Sequence, residues 1–173
     1  MPVTYIFSPN TKARSAEVNT NNVDLGTFSG CSLYKSIAEA YMTGAYRDLL
    51  FNSELFDTDS YHDTGSNTQR ITCATAGYYL FSAIIQFAIN NTGIRVVRFN
   101  RYNSAAVSQA TYTKQSQAAT AGGTANNYLN TQAIIYMNAG DFLITEIFQD
   151  SGVNVDLAGG VEGCSFCCEF LGI

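Results

Sequence analysis

The chain has 173 residues, 46% hydrophobic and only 13% charged, with a formal net charge of −5 at neutral pH. That length suits one domain with a sizeable core, and about half the usual share of charge leaves Ser, Thr, Asn, Gln and backbone, or association, to cover the surface. The acidic balance argues against a partner that presents a phosphate backbone, and no apolar run reaches the roughly 20 residues that span a bilayer.

Residues 1–30 differ from the rest. VTYIF (3–7) can form one short strand, and the polar run SPNTKARSAEVNTNNVDL follows. Ser15 is placed to cap a short helix with Ala16, Val18, Val23 and Leu25 as its apolar residues and Glu17 in its first turn. Such a helix is too short to stand alone in water. The segment is therefore either an arm that docks on something or a frayed terminus. MPVTYIFSPN lacks a basic region followed by an apolar one, so no signal peptide is expected. In a chain made in the cytoplasm, Cys31, Cys73, Cys164, Cys167 and Cys168 are expected to stay reduced and to pack as small hydrophobes.

Residues 31–56 (CSLYKSIAEAYMTGAYRDLLFNSELF) fit helix or strand. Ile37, Ala38, Ala40 and Tyr41 have helical spacing, whereas Tyr41, Gly44 and Tyr46 before LLF read as strand, bend, strand; the β surroundings favour strands. DTDSYHDTGSNTQR (57–70) is a loop by composition. The most informative run is AGYYLFSAIIQFAI (76–89), with ITCA as its lead-in or a partner strand. At period two, Tyr79, Phe81, Ala83, Ile85, Phe87 and Ile89 share an apolar face, which predicts a β-strand against a core. The opposite face carries Tyr78, Leu80, Ser82, Ile84, Gln86 and Ala88, too apolar for open water, so a second layer or a neighbouring subunit should cover it. Asn90-Asn91-Thr92-Gly93 predicts a tight reversal. In IRVVRFNRY, Ile94, Val96 and Arg98 then share one face of a strand, and Arg95, Val97 and Phe99 the other.

Residues 103–127 are poor in large apolar side chains and read as a mobile loop broken by one edge strand around Val107–Tyr112. TQAIIYM, FLITEIFQD, VNVDL and CSFCCEFLGI are further strands, with NAGD, Ser151-Gly152 and AGGVEG between them. In the last strand Cys164, Phe166, Cys168 and Phe170 share a face. Short strands between Gly/Asn turns, two Pro, no Trp, eleven Phe and eleven Tyr predict an all-β antiparallel sandwich or jelly roll.

Little here could carry chemistry. His62, the only histidine, sits in DSYHD beside Asp63, but no strained nucleophile turn or G-x-S-x-G accompanies it, and an ordinary turn is the better reading. Asp57, Asp59 and Asp63 invite a calcium loop, yet His62 stands where an EF-hand needs Gly and Thr68 where it needs Glu. An irregular carbonyl-assisted site stays open beside the solvated turn. Cys164, Cys167 and Cys168 resemble half a zinc ribbon; no second pair exists, and strand alternation sends Cys164 and Cys167 to opposite faces. Arg95, Arg98 and Arg101 with Phe99 and Tyr102 form the only basic cluster, for which salt bridges or a subunit contact fit better than a nucleic-acid groove. No phosphate-loop, dinucleotide or zincin motif appears. No catalytic set, cofactor or metal is expected.

AGYYLFSA (76–83) resembles the GxYxF strand of the C1q/TNF-like jelly-roll superfamily. FNSELFDTDSYHDTGSNTQRIT (51–72) resembles the segment leading into it. Tyr136-Met137-Asn138-Ala139-Gly140-Asp141 resembles its L-x-x-GD turn, and Ser165-Phe166 with Phe170-Leu171-Gly172 its closing strand, where Cys167-Cys168-Glu169 alters the spacing. The pieces fall in the family's order over residues 37–173. The resemblance implies a C1q/TNF-like antiparallel jelly roll of ten strands over 31–173, assembled as a homotrimer, with Tyr78, Leu80 and Ile84 at the trimer interface. No collagen-like repeat precedes it. The first 25 residues instead resemble a segment common at the start of bacteriophage virion proteins: Asn10-Thr11-Lys12, Ser15 to Asn19, Asn22 and Leu25. That implies a virion protein assembled in the bacterial cytoplasm, with residues 1–30 as the attachment arm and Asn10, Lys12, Arg14, Ser15, Val18 and Leu25 as its contact residues. The expected role is non-enzymatic: a capsid decoration (cement) protein whose partners are itself and the major capsid protein or other virion proteins. Neither nucleic acid nor membrane insertion is expected. The alternative is the receptor-binding tip of a head or tail fibre, with loops 57–70 and 103–127 facing a host receptor. A small hydrolase on a jelly-roll scaffold is a third class, and it lacks a site.

Overall fold

Alternation decides the longest strand: from Gly77 to Phe87 every second side chain is buried, with Tyr79, Phe81, Ile85 and Phe87 fully so. The computed structural model describes residues 28–119 and 126–173. Its strands are β1 (Gly30–Tyr34), β2 (Glu39–Tyr41), β3 (Arg47–Asp48), β4 (Ser53–Asp57), β5 (Arg70–Thr72), β6 (Gly77–Phe87), β7 (Ile94–Tyr102), β8 (Ser108–Ala118), β9 (Asn127–Met137), β10 (Phe142–Gln149), β11 (Val155–Leu157) and β12 (Cys164–Gly172). The strand reading of residues 31–56 holds: they form β1 to β4.

The strands build two antiparallel sheets. One runs β2-β11-β6-β12-β1-β4, with β9 on the other flank of β6; the other runs β3-β10-β7-β8, with β5 also on β10. Twelve described segments stand where ten strands were expected, because several rows are interrupted. β2 pairs with β11 while β1 pairs with β12, and β3 and β5 share β10. Between β11 and β12 the backbone passes so close to Ile37 that a Cβ on Gly159 would lie 2.5 Å from its carbonyl carbon. Only glycine fits that approach.

The core lies between the sheets. Phe51, Phe81, Phe99 and Phe166, all fully buried, meet there, with the Phe166 ring centroid 5.5 Å from Phe51, 5.6 Å from Phe99 and 6.3 Å from Phe81. Burying each such side chain contributes roughly 1.5–3 kcal/mol.

One reading holds and a second needs correction. The expected Asn90–Gly93 reversal is present, and it joins strands of different sheets. Both flanks of β6 are occupied, by β12 and β9, so the chain crosses to the other sheet to begin β7. Gly93 makes the crossing at φ 77°, where a Cβ would collide with Asp150. The second concerns residues 103–127. The edge strand expected around Val107–Tyr112 is present, but it does not stop there; β8 continues through TYTKQSQA, paired along β7. Its exposed residues carry no apolar alternation because neither of its faces is deeply buried. A bulge at Thr113 (φ 43°) followed by Lys114 interrupts the edge, a common way to blunt strand-to-strand aggregation.

Candidate functional site

The two outer faces of the sandwich differ in kind. On the five-stranded sheet, Arg98 Nε donates to Glu146 Oε2 (2.6 Å), and Asn100 Nδ2 donates to Glu146 Oε1 (3.3 Å) and the Tyr102 hydroxyl (3.0 Å). The Arg98 guanidinium lies 3.5 Å over the Tyr46 ring, Arg70 covers Phe142, and Tyr102 stacks on Phe142. Phe142, Ile144 and Glu146 are thereby buried although they point away from the core. That surface is closed by its own side chains.

The outer face of the seven-stranded sheet is open. Tyr78 (50% exposed) and Ile84 (47%) stand on β6 beside half-buried Leu80; Tyr128, Ile134 (63%) and Tyr136 stand on β9, and Leu171 on β12. In register, Tyr78 faces Tyr136 and Leu80 faces Ile134, and the two tyrosine rings meet edge-on at 5.2 Å. A strip of Ser82, Gln132, Cys167 and Ser32 crosses the middle of the face. Exposed apolar surface on both sides of such a strip marks a site of association. The structure thus brings Tyr78, Leu80 and Ile84 together on one open face. The contributions of Tyr128, Ile134, Tyr136 and Leu171 went unread; they could have been found from the alternation of Tyr128 and Tyr136 around Leu129, Ile135 and Met137. The attachment-arm residues Asn10, Lys12, Arg14, Ser15, Val18 and Leu25 lie outside the described residues.

The loop after β4 is organised by its own carboxylates. Asp57 accepts from the Tyr61 and His62 amides (3.0 and 2.9 Å), and Asp63 from those of Gly65 and Ser66 (2.8 and 3.1 Å). Asp59 accepts from the Ser29 and Thr58 hydroxyls (2.6 and 2.9 Å), bonds that hold its carboxyl below the usual range. The His62 side chain is fully buried, with Nδ1 2.8 Å from Glu54 Oε1 and Nε2 3.2 Å from the Thr68 carbonyl. Nδ1 therefore ties the loop to β4 and Nε2 ties it to its own far end, and Asp63 points elsewhere. Among the described residues no three metal-ligating side chains converge.

Cys31, Cys73, Cys164 and Cys168 are buried thiols, and burial pushes Cys164 up to about 11. Cys167 departs from the expectation of core packing: it is half-buried on the outer face, its thiol 3.3 Å from the Ser32 hydroxyl. Of the three arginines, Arg95 is buried and donates to the Thr92 and Ile94 carbonyls (3.1 and 3.0 Å), while Arg98 and Arg101 are ion-paired, in line with the salt-bridge reading of this cluster.

Asp141 joins Arg101 to the turn before β10, accepting from Arg101 Nε (3.1 Å) and from the Asn138 amide (3.1 Å). Burial alone would raise its carboxyl, but Arg101 and Asn138 outweigh that and hold it below the usual carboxylate range. A depressed folded-state value stabilises the fold above about 3.8, and the gain is lost as pH falls through the folded value. Asp141→Asn should therefore cost about 2 kcal/mol at pH 7 and flatten the acid limb of stability against pH. Urea titrations between pH 2.5 and 7 measure both. Asp48 shifts the opposite way, raised by burial and then by Glu146, so the comparison must be made variant against parent.

No protein-family profile matches the chain, and no curated protein matches it. Solved structures do. Murine APRIL at pH 8.5 is 12% identical with a TM-score of 0.64, over 84% of this chain and 100% of that one. Eiger TNF from S. frugiperda is 13% identical with a TM-score of 0.60, over 83% and 92%. The globular domain of zebrafish complement 1qA protein is 14% identical with a TM-score of 0.57, over 83% and 97%. At such low identity the likeness speaks to architecture: the chain has the C1q/TNF-like antiparallel jelly-roll fold.

Proposed function

We propose that this chain is a non-enzymatic structural protein of a bacteriophage virion, a homotrimer that decorates and braces the capsid. The observation that carries the reading is the open apolar face of β6, β9 and β12 on a C1q/TNF-like sandwich whose other outer face is self-covered. A face rich in exposed Tyr and Ile marks a site of association, and a closed trimer suits the local three-fold points of a capsid lattice. Residues 1–30 act as the attachment arm and residues 31–173 as the trimerising domain. The likeness of the first 25 residues to the start of phage virion proteins supports the virion location.

The test is the mass of the purified protein, alone and with capsids from the same source. A trimer of three 18.8 kDa chains that co-sediments with capsids, at on the order of hundreds of copies per particle, is the expected result. A trimer that ignores capsids and binds host cells would transfer the role to a fibre tip. A monomer would overturn the reading.

A further inference from the structure

We infer that Cys31 and Cys168 are a latent disulfide, which a small peroxide closes into a bridge between β1 and β12 once the chain leaves a reducing compartment.

The two cysteines stand opposite each other in the β1–β12 ladder. Both side chains lie in the core, 0% and 3% exposed, and their sulfurs are 3.5 Å apart. Along the same ladder the Phe170 amide donates to the Ser29 carbonyl (2.9 Å) and the Lys35 amide to the Cys164 carbonyl (3.1 Å). Alternation by two then makes Cys31 and Cys168 a hydrogen-bonded pair, whose usual Cα separation is about 5.5 Å. A disulfide spans roughly 4.4–6.8 Å between Cα atoms, so the backbone can stay in place while the sulfurs close to about 2.05 Å.

The other thiols are worse placed. Cys164 stands four residues along β12, about 13 Å from Cys168 at the rise of a strand. Cys167 points to the opposite face, where its thiol meets the Ser32 hydroxyl. Cys73 lies outside the β1–β12 ladder, just after β5 in the other sheet, with its amide donating to the Asp141 carbonyl.

The chemistry needs two electrons and a small oxidant. The contact with Cys168, and then burial, push the Cys31 thiol up, so Cys31 keeps its proton and acts second. The Cys168 thiolate attacks a peroxide oxygen: an S–O bond forms, the O–O bond breaks, and the released hydroxide takes up the Cys168 proton as water. The Cys31 sulfur then attacks the resulting sulfenic acid. The S–S bond forms, the S–O bond breaks, and the hydroxyl leaves as water with the Cys31 proton. Two thiols are oxidised and one hydrogen peroxide is reduced to two waters.

The position of the bridge gives it a mechanical consequence. β1 lies next to the edge strand β4, whereas β12 lies between β1 and β6. A pull on the chain before residue 28, where the virion reading places the attachment arm, enters the sandwich through β1. With the bridge closed, that load reaches β12 through a covalent bond as well as through the ladder. This consequence rests on the proposed function; the bridge itself does not.

The test uses the full chain, purified with its thiols reduced and then treated with hydrogen peroxide. Mass spectrometry should show the loss of two hydrogens, and peptide mapping should join Cys31 to Cys168. Thiols titrated in denaturant should fall from five to three, two being consumed, and non-reducing electrophoresis should still show single chains. The bridge closes a long loop, so the midpoint of thermal unfolding should rise on the order of 10 °C and return on reduction. Cys73→Ala and Cys167→Ser should keep this response, and Cys31→Ala and Cys168→Ala should abolish it. The peptide map of the parent decides the matter even where a core variant fails to fold. A bridge between any other pair, oxygen added without a bridge, or no reaction in excess peroxide overturns the inference and leaves the virion reading standing. A bridged chain that ignores capsids overturns the load-bearing role and leaves the bridge standing.

Discussion

Phe166→Ala is expected to destabilise the domain by about 3–5 kcal/mol, the range for emptying a well-packed aromatic site. Phe166 bridges the two sheets: its ring meets Phe51, Phe99 and Phe81 at once, and it is fully buried. Those neighbours are rings anchored on β6, β7 and the segment between β3 and β4, so the space collapses poorly and the cavity contribution adds to the lost burial. Urea unfolding under conditions where the assembly state is known measures it. A drop in midpoint with an unchanged slope is the expected signature. A loss under 1 kcal/mol would show that the sheets repack around the vacancy, against the rigid packing described above.

Charging the open face should leave the fold intact and abolish self-association. Tyr78→Lys combined with Ile134→Lys places two cations where side chains half or more exposed now stand, so neither change disturbs the core. Surface substitutions away from packed sites typically shift stability by no more than about 0.5 kcal/mol. Association, by contrast, would require burying both charges in an apolar contact. Light scattering should report a monomer with the parent's circular dichroism. An unchanged oligomer would place the subunit contact on another surface.

How much of this was legible depended on burial. β6 could be read from its residues because one face lies wholly in the core and every second side chain declares it. β12 was legible for the same reason, with Phe166 inside and Cys167 outside. β8 was not. An edge strand with mostly exposed side chains has no alternation to display, and Lys114-Gln115-Ser116-Gln117 reads as solvated loop until its pairing with β7 is seen. The short strands β2, β3, β5 and β11, two or three residues each, are held by partners far along the chain. No local window contains the reason for them. The association face was half legible: β6 announced its own contribution, but only the register with β9 shows that Tyr78 stands against Tyr136 and Leu80 against Ile134. The role of His62 depended on Glu54 and the Thr68 carbonyl, which only the folded loop brings to its ring.

The crossing turns also bear on how the chain acquires this structure. β6 and β7 are consecutive yet belong to different sheets, as do β9 and β10, and β1, paired with β4 on one side, finds its second partner only when β12, more than a hundred residues later, has been synthesised. Neither sheet can be assembled from a run of adjacent hairpins. Topologies dominated by such distant pairings fold in milliseconds to seconds, because loop closure must precede the contacts that reward it. During that interval the apolar strands of many newly made copies are exposed together, so subunit encounter and sheet completion compete in time. The polar strip of Ser82 and Gln132, and the bulged, lysine-bearing edge of β8, then act during folding as well as after it, by discouraging pairing in the wrong register.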